Sequence, residues 1–336
     1  MNRRYISWLG WVIILLLVLG AVSAASLCVG ASRIPLHDVW SFILGRDTGT
    51  AYRSILLHIR LPRILLGIVV GGALSIAGVV LQGMFRNPLV EPYTLGISGG
   101  AALGVCFSIV TGMSTVLGAI ALPLAGFCGA VFAVVFVYFL SRQRGMLKLQ
   151  GLLLSGVMVS FICSSLVMLI MSVMRTEDLH GIIFWIMGSL EEPNWMLIKI
   201  TAAVSIAGLV TGCAFWKELN AFSLGEEGAL HLGVNTQSVK KILFLLASLL
   251  TGASVAVSGV IGFVGLAIPH FVRLFIGSDH RAVMICSYLL GAAFLVACDT
   301  LARTIIAPLE LPVGVITGII GGSIFIYALC SRRPGA

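Results

Sequence analysis

Charged residues interrupt this chain rarely, and the gaps between them define its elements. Uncharged, largely apolar runs cover residues 5–32, 64–85, 92–141, 149–174, 200–216, 242–272, 282–298 and 311–331. A charge at the centre of a bilayer is costly, so each run marks a span. Most fit one helix of about 17–25 residues. Run 92–141 holds 50 residues. At about 1.5 Å per residue it would reach about 75 Å as one helix, so it folds back, with a break predicted at Thr111-Gly112-Met113-Ser114. Run 242–272 carries Gly259, Gly262, Gly265 and Pro269 in its second half. That predicts one span, a Gly-rich turn, and a shorter helix ending near Gly277. The expected class is all-α: a polytopic membrane protein of about ten transmembrane helices, both termini cytoplasmic. The expected spans are 6–28, 64–85, 92–110, 115–141, 149–174, 196–216, 237–258, 266–277, 282–298 and 311–331, in a single transmembrane domain over 1–336.

Composition agrees. Hydrophobic residues make up 59% of the chain, charged residues 10%, and the mean hydropathy is +1.10. Soluble domains carry about 25% charge, so a water-facing globular surface is excluded. Arg3-Arg4, an apolar stretch and Val22-Ser23-Ala24 resemble a signal peptide, but the apolar stretch is long for one, and a retained first helix is expected.

The net charge of +8 does not point to nucleic acid, because the basic residues are scattered between apolar runs. With the termini inside, the Arg142–Lys148 loop and the Arg332-Arg333 tail follow the positive-inside rule. Arg33, Arg46, Arg53, Arg60 and Arg63 are the exception, crowding one outer segment. The eight cysteines form no C-x-x-C, so they read as small apolar residues. Small residues recur every four positions at Gly67, Gly71 and Ser75, at Gly96, Gly100 and Gly104, and at Gly314, Gly318 and Gly322. This spacing lets helix backbones approach closely.

Several chemistries are missing from the sequence. There is no G-x-x-x-x-G-K-[ST] and no H-E-x-x-H. His270, Arg273, Asp299 and Arg303 are the candidate intramembrane ionisable residues, all near predicted helix ends. Ion-driven carriers usually keep carboxylates at mid-bilayer. The pattern therefore disfavours an ion-coupled secondary transporter or channel, the alternative class, and no catalytic residue is proposed.

The longest inner loop follows the sixth span, with a candidate coupling segment at 218–233. Ser223 and Glu226 have capping-box spacing. Glu226 and Glu227 suit the positive end of a short helix, and Gly233 its C-terminal stop. Leu224, Leu230 and Leu232 offer apolar contacts, so the loop reads as a helix that docks into another protein.

Arg60-Leu-Pro-Arg63 leads into Gly71-Gly-Ala-Leu-Ser-Ile-Ala-Gly78, then Asn87-Pro-Leu-Val-Glu-Pro92 and Leu95-Gly-Ile-Ser-Gly99. Trp185-Ile-Met-Gly-Ser-Leu190, Leu224-Gly-Glu-Glu227, Leu232-Gly-Val234 and Gly262-Phe-Val-Gly-Leu-Ala-Ile-Pro-His270 follow in order. Asp279-His-Arg281, Asp299-Thr-Leu-Ala-Arg303 and Glu310-Leu-Pro-Val-Gly-Val-Ile-Thr-Gly318 close the series. From about residue 55 onward the chain resembles the iron-chelate/cobalamin permease family of ATP-binding-cassette importers. The resemblance implies a bacterial or archaeal cytoplasmic (inner) membrane. It implies a second copy or close paralogue, two ATP-binding subunits, and an outer substrate-binding protein. The cargo would be a metal chelate, with ferric siderophore ahead of heme and cobalamin. ATP and Mg would sit on the partner ATPase, with no cofactor or metal bound directly.

The same resemblance carries roles onto individual residues. Arg60, Arg63 and Arg303 would meet carboxylates of the binding protein, although an i,i+4 pair with Asp299 is the competing role of Arg303. Ser223, Leu224, Gly225, Glu226, Glu227, Leu232 and Gly233 would form the ATPase-coupling element. Asn87, Leu89, Leu149 and Gln150 would form the cytoplasmic gate. Ser155, Met158, Ser160 and Thr317 would line the pathway, joined by Ser164, Met168 and Ser323.

Overall fold

The structure, a computed structural model, describes residues 3–30, 34–44, 50–143, 145–192 and 194–330. Arg33, Arg46, Arg144, Arg332 and Arg333, used above in the charge pattern, lie outside the described residues. The first half of the chain forms α1 (Arg3–Cys28), α2 (Leu36–Ile43), α3 (Thr50–Ile55), α4 (Leu61–Phe85), α5 (Ile97–Val110), α6 (Met113–Leu117), α7 (Ala121–Ser141) and α8 (Leu149–Val173). The second half forms α9 (Thr176–Met187), α10 (Trp195–Ala214), α11 (Trp216–Phe222), α12 (Glu226–His231), α13 (Thr236–Ser258), α14 (Val264–Ile276), α15 (His280–Ala302) and α16 (Val313–Cys330). Among the described residues, β structure is confined to a small hairpin between α7 and α8, in which β1 (Arg142–Gln143) pairs antiparallel with β2 (Met146–Leu147).

Among the described residues, seven helical stretches are long and apolar enough to cross a membrane. Four shorter apolar helices, Ile97–Val110, Asp178–Met187, Val264–Ile276 and Val313–Tyr327, accompany them, in keeping with a layout of about ten spans. The predicted break falls between α5 and α6, where Gly112 has φ +66°. The Gly-rich turn lies between α13 and α14.

The second span departs from its predicted start at residue 64. The helix is continuous from Tyr52 to Phe85, 34 residues, with one wider π turn at Leu56–Arg60 joining α3 to α4. Pro62 follows the π turn directly, inside this continuous helix, where its missing N–H leaves one carbonyl of the preceding turn without its helical donor. Arg60 and Arg63 do not end the span because the protein itself surrounds them. The outer helices α2 and α9 were not anticipated. The charges of α9, Asp178 among them, cluster in its first turn and read as loop.

The core is built around α4, which packs on α10, α13, α14 and α15. Gly71 makes the α4–α15 approach possible: a Cβ there would lie 2.3 Å from the Gly291 carbonyl oxygen. On the other side α5 packs on α7 through Gly100 and Gly129, each facing the other's carbonyl. The third small-residue series differs from its expectation. Gly314 faces the carbonyls of Met187 and Val260, but Gly318 meets nothing within 4 Å.

Two irregular segments meet inside the bundle. Phe263 N–H donates to Glu91 Oε1 at 2.8 Å. Tyr93 Oη donates to Ile261 O at 3.0 Å and accepts from Ile261 N–H at 3.1 Å. Non-helical backbone is tolerated at depth where protein groups satisfy it, and the Glu91 and Tyr93 side chains do this for the backbone of Ile261 and Phe263.

Candidate functional site

The inner loop after α10 folds into two short helices rather than one. Ser223 does not cap the second: its Oγ donates back to Asn220 O at 2.6 Å. The capping-box expectation is therefore corrected. Gly225, with φ +102°, occupies the N-cap of α12, a conformation that serine and other L-residues rarely take. Glu226 and Glu227 lie in the first turn of α12 as expected. Gly233, with φ +81°, ends the helix; its N–H bonds Leu230 O, and Val234 N–H bonds Ala229 O. This is a Schellman stop. Phe222 and Ala229 are buried and root the segment, while Leu224, Leu230 and Leu232 are 67%, 53% and 63% exposed. Three uncovered leucines on a polar loop form an apolar contact surface.

Behind α12 lies Lys240, in the first turns of α13 and only 1% exposed. Its Nζ donates to Glu226 Oε1 at 2.6 Å and to Leu147 O at 3.0 Å. Leu147 N–H donates to Gln237 Oε1 at 3.0 Å. The sequence reading gives Lys240 no role. Its role was readable from helical periodicity: it shares a face with Thr236, Val239, Leu243, Phe244 and Ala247, all buried.

The expected gate residues gather nearby. A cavity of about 520 Å³ is lined by Asn87, Leu149, Gln150, Leu153, Gln237, Glu226 and Lys240, among others. Asn87 Oδ1 accepts from Leu89 N–H at 2.9 Å, holding the turn, and Leu89 is 56% exposed beside it. Glu226 of the coupling segment thus lines one cavity with the gate candidates Asn87, Leu149 and Gln150.

A second inner group ties α11 to α15. Asp279 caps α15 by accepting from Arg281 N–H at 3.1 Å and forms an ion pair with Arg281 Nη2 at 2.7 Å. Hydrogen bonds from the Arg281 guanidinium hold the Asp279 carboxyl down at about 2. The Arg281 guanidinium sits 4.3 Å from the Trp216 ring centroid, a cation–π contact with α11.

On the outer side the structure corrects the picture of an exposed arginine rim. Arg60, Arg63 and Arg303 are 2%, 6% and 4% exposed. The reason is internal pairing. Arg303 Nε contacts Asp299 Oδ2 at 2.9 Å, and Arg303 Nη2 donates to Ser26 Oγ at 2.7 Å. Arg63 Nε lies 3.5 Å from Asp299 Oδ1, and its Nη1 lies 2.7 Å from Glu310 Oε2. Arg60 donates to the Leu27 carbonyl. Asp299 is buried between two guanidiniums, whereas the Glu310 side chain is 36% exposed.

The pathway candidates divide. Met158 on α8 is 55% exposed. Ser155 and Ser160 are half-buried, and Ser160 packs on Gly99 of α5. Thr317 is fully buried and donates to Gly314 O at 3.0 Å, so in a single chain it lines nothing; a hydroxyl on an apolar helix satisfies itself on its own backbone. Ser164, Met168 and Ser323 are exposed.

The sequence profile of the FecCD transport family matches residues 14–331. The hemin transport system permease protein of Yersinia pestis is 39% identical over 327 residues, covering 97% of this chain and 96% of the relative. The cobalamin import system permease protein of Halobacterium salinarum is 40% identical over 83% of this chain and 74% of its own length. The Fe(3+) dicitrate transport system permease protein of Escherichia coli K12 is 36% identical over 96% and 98%. A solved inward-facing ABC transporter, described as of metal-chelate type, superposes with a TM-score of 0.84 at 30% identity, over 95% of this chain and 98% of that one.

Proposed function

The chain belongs to the FecCD transport family, and from that premise we propose that it is the permease subunit of an ATP-binding-cassette importer moving a metal chelate across the cytoplasmic membrane. The named relatives handle hemin, ferric citrate and cobalamin, all metal complexes of organic ligands. The cargo proposed here is of that class, ferric siderophore first, heme and cobalamin next. The host would be bacterial or archaeal. Two copies of the chain, or one with a paralogue, would enclose the pathway, and two ATPase subunits carrying ATP and Mg would drive it. The chain itself would catalyse no reaction.

One observation supports this reading above the others. The α11–α12 element presents Leu224, Leu230 and Leu232 outward while its other face is anchored beside the gate cavity. An element that grips a neighbour on one side and the gate on the other can pass mechanical work inward. In this reading Ser223, Leu224, Gly225, Glu226, Glu227, Leu232 and Gly233 form the coupling element, and Asn87, Leu89, Leu149 and Gln150 the gate. Ser155, Met158 and Ser160, with the exposed face of α8, would line the pathway. At the outer face, an acidic binding protein would reach the arginine cluster by competing with Glu310 for Arg63.

Co-purification and reconstitution test it. Leu230→Glu in α12 should abolish ATPase capture and uptake together. Full capture and uptake with that substitution would refute the coupling assignment.

A further inference from the structure

We propose that Lys240 is a positioning residue linking the ATPase-facing helix to the foot of the gate helix, so that movement of α12 is delivered to α8. The inference rests on the importer reading above and names a route within it. Lys240 is an ammonium on a side chain 2% exposed, and such a group is retained only when its hydrogen bonds are met. It has partners on two different elements. One is Glu226, in the first turn of α12. The other is the carbonyl of Leu147, the last residue of β2 and two residues before α8 begins. Gln237, one turn before Lys240 on α13, takes the N–H of the same Leu147. Both backbone polar groups of Leu147 are thus held from α13, and one of them shares its donor with α12.

Geometry makes this a linkage rather than a local staple. α12 is a helix of 6 residues, too short to hold its position unaided, so the Glu226–Lys240 contact and its buried Ala229 fix it. Lys148 separates Leu147 from Leu149 and Gln150, which line the cavity with Glu226 and Lys240. A displacement of α12 that keeps the 2.6 Å contact drags the ammonium, and through it the carbonyl at the entrance to α8. Breaking the link frees α12 from α8 without touching the exposed leucines that face outward.

The test uses the whole complex in proteoliposomes, comparing Lys240→Met, Glu226→Gln and Lys240→Arg with wild type. Hemin, ferric citrate and cyanocobalamin serve as probes, and uptake is divided by ATP hydrolysed. Lys240→Met should cut that ratio about tenfold while ATPase capture and hydrolysis stay within about twofold, and Glu226→Gln should lower the ratio by a similar factor. The double variant should be no worse than either single one, and Lys240→Arg should keep most of the ratio. A cargo-independent readout follows Gln150→Cys and Leu230→Cys, each alkylated from the inner side with a membrane-impermeant thiol reagent. ATP should change the rate at both positions in wild type, and only at position 230 in Lys240→Met. An unchanged uptake-to-hydrolysis ratio in both Lys240→Met and Glu226→Gln, or an ATP response at position 150 that survives in Lys240→Met, overturns the proposal. Parallel loss of capture and uptake in Lys240→Met, whose side chain is 2% exposed, also overturns it by making the contact merely structural. Failure of the wild-type complex to move any probe, with no ATP response at either position, would instead strike the importer reading.

Discussion

Removing the carboxylate of Asp299 is the sharpest stability test of the outer charge cluster. The side chain is 3% exposed and touches two guanidiniums that are themselves 4% and 7% exposed. At the effective dielectric of about 20 that suits such sites, its attraction to Arg303 at 2.9 Å is about 6 kcal/mol and to Arg63 at 3.5 Å about 5 kcal/mol, before desolvation. Desolvation cancels much of this in the intact cluster. It does not cancel when one partner is deleted, because the remaining charges stay buried. The measured scale for breaking such a pair is about 3–5 kcal/mol, and Asp299→Asn should fall in that range. An unfolding entropy of about 2.1 cal/mol/K per residue gives about 0.7 kcal/mol/K for this chain, so the thermal midpoint in detergent should drop by about 4–7 °C. That shift is a lower bound, since spans that stay helical on denaturation reduce the entropy. Arg63 keeps Glu310, so adding Arg303→Met to Asp299→Leu should recover most of the loss. A drop below about 1 °C for Asp299→Asn, or purely additive losses in the pair, would refute the buried-cluster reasoning.

Glu310→Gln should release Arg63 and raise the affinity of an acidic binding protein about fivefold at low salt, read by surface plasmon resonance, while Arg63→Glu should lower it; equal affinities would refute competition at this site. The Asp279 carboxyl is depressed below its ordinary range, so its contribution is complete above about pH 4 and fades as pH falls towards 2. The thermal midpoint of Asp279→Asn should therefore lie below wild type at pH 7 and converge with it at acid pH; parallel curves would contradict the assignment. Gly71→Leu should cost about 3 kcal/mol or more by forcing α4 from α15, whereas Gly318→Ala, whose Cβ meets nothing, should leave the thermal midpoint unchanged. Equal destabilisation by both would undo the packing argument.

The spans were legible because the cost of a charge in lipid writes directly into the sequence. The breaks at Gly112 and Gly259 were legible for a related reason, since a fold-back needs residues that tolerate unusual backbone. Arg60 and Arg63 misled at the second span: charge marks an end only when water receives it, and here Asp299, Glu310 and the Leu27 carbonyl receive it instead. The extent of the coupling segment could be read from its turn residues, but not the position of its N-cap. Serine at 223 and glycine at 225 both suit a helix start, and only the chain path decides between them. Thr317 took its lining role from the family resemblance, and its hydroxyl bonds the carbonyl of Gly314 on its own helix. Lys240 was passed over, although its helical face predicts burial.

The central claim is that this permease moves cargo only when ATPase subunits grip its inner face. Uptake into proteoliposomes, measured with and without those subunits, with and without ATP, and under imposed sodium or proton gradients, tests it most directly. Accumulation should require both the ATPase subunits and ATP, and should ignore the ion gradients. Gradient-driven accumulation by the permease alone would contradict it.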